Sequence, residues 1–110
     1  MLNRAALIVR PKQPFLNWAA ALDESGLVPD VVGERTVYLV PEFDSDEEGK
    51  EVLKHIYGEI FERELNGWDT DPASWPQNRD FRIFQEWFSI ELHSVVEDVV
   101  EGVLVDDEFE

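Results

Sequence analysis

The stretch from Ser45 to Gly67 constrains this chain more than any other, because it reads as one long amphipathic helix. Ser45 and Glu48 have the spacing of a capping box, in which the serine hydroxyl accepts from the N–H three residues on and the glutamate reaches back. Asp46 and Glu47 put negative charge at the positive end of the helix dipole. Gly67 is the residue expected to turn left-handed and end the helix. Between these signals Leu53, Ile56, Tyr57, Ile60, Phe61 and Leu65 fall on one side, at a period of about 3.6 residues. Glu48, Glu51, His55, Glu59 and Glu62 lie roughly opposite. The helix has one dry face and one strongly acidic face.

The segments before it alternate in type. Ala5–Arg10 is a short apolar run stopped by Pro11, and its Leu-Ile-Val content suits a buried strand. Pro11 and Pro14 punctuate a basic turn. Pro14 suits the first turn of a helix whose buried side is Phe15, Leu16, Trp18, Ala19, Ala20 and Leu22, fading near Asp23–Gly26. Residues 25–35 contain Gly26, Pro29 and Gly33 and read as a loop, with a short extended piece at Val31–Val32. Thr36–Val40 is the clearest strand, β-branched and aromatic between Gly33 and Pro41.

After Gly67, two prolines and two tryptophans, Trp68 and Trp75, predict an ordered loop, since tryptophan is seldom left in solvent. Asn78 or Asp80 can cap the next helix. Residues 81–100 carry two periodicities at once. Phe81, Phe84, Phe88, Leu92, Val95 and Val99 fit a helix, whereas Phe88, Ile90 and Leu92 alternate and are followed by β-branched pairs. The expectation is a helix from Asp80 to Trp87 and then a strand over roughly Ser89–Asp98. Val103-Leu104-Val105 reads as a short edge strand, with a frayed acidic tail from about residue 104 onward. The length suits a single domain, residues 1–110. The expected fold class is α+β, or small α/β. A three- to four-stranded sheet packs against two main helices, those beginning at Pro14 and Ser45, and the tryptophan loop closes one edge.

Charge narrows the function classes. The net charge is −16, and residues 1–40 balance four basic side chains against four acidic ones. All of the excess therefore falls in residues 41–110. Such a surface repels phosphate backbones and disfavours direct nucleic-acid binding. It attracts basic partners and speeds their encounter at low salt, and it also serves solubility. Four Trp and seven Phe supply enough apolar area for a folded domain despite the charge. With no cysteine there is neither a disulfide framework nor a thiolate metal site. The apolar run before Arg10 is too short for a signal-peptide core or a membrane span, so the cytoplasm is the expected compartment and no membrane partner is expected.

Three groups of residues give the chain a familiar look. They are Arg10-Pro11-Lys12 with Pro14-Phe15, Tyr38-Leu39-Val40-Pro41-Glu42, and Trp87-Phe88 with His93-Ser94 and Asp98. In these the chain resembles an uncharacterised family of small acidic bacterial proteins with no assigned activity. The resemblance implies a bacterial cytoplasmic origin and carries over no catalytic residue.

Several constellations are candidates for chemistry or binding. Glu51, His55 and Glu59 follow each other at i, i+4 and could ligate a metal from one helix face. Plain solvation of an outer helix face requires the same charges. His93 and Ser94 lie among Glu91, Glu97 and Asp98, but on a strand their side chains point to opposite faces, which disfavours a nucleophile–base pair. The acidic neighbours make His93 a candidate pH-sensitive group. Arg10 and Lys12, at the end of a strand and ahead of a helix, are candidates for anion binding. Trp68, Trp75, Trp87 and Phe88 are candidates for an interface as well as for the core. No phosphate loop, dinucleotide fingerprint, nucleophile elbow or calcium loop is present.

The expected function is a non-catalytic interaction module meeting a basic protein, with a DNA mimic as one form of that idea and a second copy of itself as another partner. No cofactor is expected. The alternative is a small metal-binding protein or enzyme using His55 or His93 with nearby carboxylates.

Overall fold

A computed structural model describes residues 3–22, 35–100 and 102 of the 110-residue chain. Of the loop expected at 25–35, all but Arg35 lies outside the described residues, its extended piece at Val31–Val32 included, as do the edge strand expected at Val103–Val105 and the acidic tail.

Three strands form one antiparallel sheet: β1 (Ala5–Pro11), β2 (Thr36–Val40) and β3 (Phe88–His93), in the order β2-β1-β3. The most apolar strand is thus the central one. Its register pairs Ala5 with Val40 and Leu7 with Tyr38 on one side, and Ala6 with His93 and Val9 with Ile90 on the other. Side chains alternate along a strand, so Ala5, Leu7 and Val9 all turn to one face and are buried there. Three helices pack against that face: α1 (Gln13–Leu22), α2 (Asp46–Asn66) and α3 (Phe81–Trp87). The result is a two-layer α+β fold. On the opposite sheet face Val37 and Leu39 remain 60% and 51% exposed.

The core is aromatic at its centre. Phe61 of α2 meets Phe84, Trp87 and Phe88 at centroid separations of 5.8, 5.6 and 5.3 Å, and Phe15 of α1 reaches Phe88 at 5.5 Å. Tilted and edge-on rings of this kind add about 0.5–1.5 kcal/mol per pair beyond their burial.

The long helix begins and ends where the sequence predicts, but both caps differ in detail. Ser45 Oγ accepts from the Glu48 N–H at 3.2 Å. The returning half of the capping box goes one residue further, to the Asp44 N–H, which donates to Glu48 Oε2 at 3.3 Å. Gly67 does not turn left-handed: at φ −66° and ψ −20° it prolongs the right-handed winding. Its N–H donates to the Arg63 carbonyl, and the Trp68 and Asp69 N–H groups both donate to the Leu65 carbonyl. With the end carbonyls satisfied in this way, the helix needs no left-handed residue. Leu53, Ile60, Phe61 and Leu65 are buried, Ile56 and Tyr57 half-buried, and the five acidic-face residues exposed.

Residues 81–93 resolve the double periodicity. Asp80 Oδ1 accepts from the Ile83 N–H at 2.8 Å and opens α3. Phe88 has extended dihedrals while its N–H still donates to the Phe84 carbonyl. Helix passes into strand with no linker, and Phe88 belongs to both patterns. The strand is shorter than expected, ending at His93 rather than near Asp98. The central strand starts at Ala5, and Ala6 already pairs with His93, so β1 has at most one residue left to pair with those beyond. Val95, Val99 and Val100 are accordingly left exposed despite their strand preference.

The tryptophan loop contains a short 3-10 turn at Pro72–Ser74 and is fastened to α1 rather than to a sheet edge. Trp18 Nε1 donates to the Ser74 carbonyl at 2.9 Å, and Trp68 Nε1 donates to the Ala19 carbonyl at 3.2 Å.

Candidate functional site

A groove on the helical side brings together side chains distant in sequence. It runs between the first half of α2, the outer side of α3 and the start of β3, and encloses about 850 Å³. Leu53, Phe81, Phe88, Ile90 and Leu92 make its apolar floor, and Lys12, Lys50 and Lys54 stand around it. These are the only three lysines of the chain.

Local structure explains how each arrives there. Lys12 follows β1, where its N–H donates to the Trp87 carbonyl at 2.8 Å and anchors the strand end to the α3–β3 junction. Its Nζ donates to the Gln85 carbonyl at 3.2 Å. Lys50 and Lys54 are one helical turn apart on α2, so both flank the same edge of the dry face. Gly49, buried between them and the sheet, permits the close approach of α2: a Cβ there would lie 3.0 Å from Phe43 Cε2 and 3.1 Å from Leu92 Cδ1. Glu47, Glu48 and Glu51 also border the groove. Glu51 Oε1 pairs with Lys54 Nζ at 3.4 Å, and Glu48 is engaged at the helix cap. The site can hold an apolar body with a charged head. Among the described residues Ser89 is the only hydroxyl lining it, and no histidine does.

The residues singled out from sequence are dispersed. Glu51, His55 and Glu59 do share the exposed side of α2, but Glu51 turns to Lys54 and Glu59 Oε1 turns to Arg63 at 3.2 Å. Among the described residues no three His, Asp or Glu side chains come together to hold a metal. Arg10 lies on the open side of β1, whereas Lys12 enters the groove, so the two do not form one anion site. His93 Nε2 stands 3.7 Å from Glu91 Oε1 on the open sheet face. The four aromatics offered as an interface divide. Phe88 is 2% exposed and belongs to the core, and Trp87 packs on Phe15, Trp18 and Phe61. Trp75 Nε1 donates to the Asp69 carbonyl, and Arg79 lies over its ring. Trp68 alone of the four reaches 37% exposure. Rings spent on packing in this way cannot form a shared outer patch.

Sequence reasoning missed Lys50 and Lys54 because, on an acidic helix, they read as charge balance. The signal available was their i, i+4 spacing at the border of the apolar stripe.

One further polar contact stands inside the fold. Tyr38, on the core-facing side of β2, donates its hydroxyl to Glu64 Oε2 at 2.5 Å. Burial, the hydrogen bond to Glu64 and the charge of that carboxylate push the phenol well above the ordinary tyrosine range.

Compared with known protein families, curated proteins and solved structures, the chain matches none. Among the described residues no helix is long and apolar enough to cross a membrane.

Proposed function

We propose that this chain is a non-catalytic interaction module whose acidic surface meets a basic protein. The observation that supports this reading is where the charge lies. No charged or polar side chain among the described residues is buried, and Glu64, which accepts from the half-buried Tyr38 hydroxyl, is the α2 carboxylate drawn towards the core. Helix α2 alone, about 32 Å long by its rise per residue, carries seven carboxylates against three cations. Its ion pairs to Lys54 and Arg63 are exposed at both ends and contribute little to stability. A field of one sign over an extended rod speeds and orients the approach of a positively charged partner.

The test is capture from a bacterial lysate at low salt, followed by a salt step and mass spectrometry, with the E48Q/E51Q/E59Q/E62Q variant in parallel. A discrete basic protein should be retained by the natural chain, released by the step and lost in the variant. An empty column, or capture indifferent to salt and to the four substitutions, would refute electrostatic recognition.

A further inference from the structure

We propose that the groove between α2, α3 and β3 is a binding site for a small amphipathic carboxylate: one anionic head on an apolar body. This goes beyond the acidic-surface reading and uses different residues.

Charge complementarity is the first ground. The chain has nine cationic side chains; all three lysines border this groove and none of the six arginines does. In a protein of net charge −16, the groove border balances these three lysines against Glu47, Glu48 and Glu51, so it stands apart from the prevailing negative field. Lys12 donates to a neutral carbonyl rather than to a carboxylate. Lys50 has no ion-pair partner among the described residues, while Lys54 is shared with Glu51.

Shape and lining are the second ground. A volume of about 850 Å³ falls within the range of small-molecule sites, which are apolar with a few placed polar groups. The floor matches: Phe81, Ile90 and Leu92 offer half-exposed apolar surface over the buried Phe88 and Leu53, and the ammonium groups stand at the border. An apolar tail covering this floor removes hydrocarbon from water on both sides.

The nearby carboxylates select the head group. Glu47, Glu48 and Glu51 repel any anion, and the repulsion grows with its charge. The lysines offset these three carboxylates, and in the remaining field of a −16 chain a phosphate dianion meets roughly twice the penalty of a carboxylate. The monoanionic carboxylate is therefore the better match.

The experiment titrates the full chain, labelled with nitrogen-15, with decanoate, and compares decanol, decyl phosphate and decyltrimethylammonium at equal concentration. Decanoate should saturate and shift the Gln85, Ser89 and Ile90 amides. It should bind more tightly than the other three, even though the net charge of the protein favours the cation. K12Q and K50Q should each weaken decanoate about fivefold, whereas R82Q, on the exposed side of α3, should leave it unchanged. Both lysines are exposed, so their replacement leaves the core intact. Absence of saturable shifts, equal binding of decyltrimethylammonium, tighter binding of decyl phosphate, or an affinity unmoved in K12Q/K50Q would each overturn the assignment.

Discussion

Helix α2 contains two glycines whose replacement by alanine should act in opposite directions. In a helix interior alanine is favoured over glycine by about 0.8–1.0 kcal/mol, and that gain applies to both sites. At Gly58 a new Cβ meets nothing within 4 Å, so Gly58→Ala should stabilise by about 1 kcal/mol. At Gly49 the same carbon lies 3.0 and 3.2 Å from two atoms of the Phe43 ring and 3.1 Å from a Leu92 methyl. Phe43 is itself only 4% exposed and has little room to retreat. Crowding of a packed core costs about 1–3 kcal/mol, which cancels or exceeds the propensity gain. Gly49→Ala should therefore range from neutral to about 2 kcal/mol destabilising. The two variants should differ by about 1–3 kcal/mol, with Gly58→Ala raising Tm by about 4–8 °C. Urea and thermal unfolding followed by far-ultraviolet circular dichroism measure both, and an unchanged m-value makes them comparable. Equal stabilisation by both substitutions would refute the close packing of α2 on Phe43 and β3. Because Leu92 also floors the groove, Gly49→Ala should in addition disturb any ligand held there.

Two further predictions rest on single hydrogen bonds. Tyr38→Phe removes the donor to Glu64 and should cost about 1–2 kcal/mol near neutral pH. Because the folded state raises the Tyr38 pKa, the natural chain should also lose stability as pH climbs past the unfolded tyrosine value of about 10, and the variant should lose less; parallel denaturation series at pH 7 and pH 11 with the same slope in both proteins would count against the half-buried Tyr38–Glu64 contact. Ser45→Ala removes the acceptor of the Glu48 N–H and should cost about 1 kcal/mol, read as a lower urea midpoint, whereas Ser45→Asp should restore most of it.

Much of this fold is legible in the amino-acid order, because its signals are local. Thr36–Val40 is a strand by side-chain branching, and Ser45 opens α2 through a bond to a residue three positions away. Leu53, Ile60, Phe61 and Leu65 are buried because their spacing puts them on one stripe of any helix. The alternation of such segments leaves α+β and small α/β both open, and the antiparallel pairing of the three strands decides for α+β.

What local signals could not supply is the identity of each neighbour. The β2-β1-β3 order decides that the strand begun at Phe88 ends at His93, since it lengthens only as far as β1 offers N–H and C=O partners. The geometry of the turn after Leu65, rather than the glycine at 67, decides how α2 ends. The same holds for function. Glu51, His55 and Glu59 are ordered by helical spacing, yet nearby cations draw off the two carboxylates. Lys12 and Lys50 are 38 positions apart in sequence and border one groove only because the end of β1 is tied to the α3–β3 junction while Gly49 lets α2 settle onto Phe43 and Leu92. Residue order determines which faces are dry and which are charged. Packing between elements distant in the chain decides which charges stand together, because electrostatic and apolar contacts act through space.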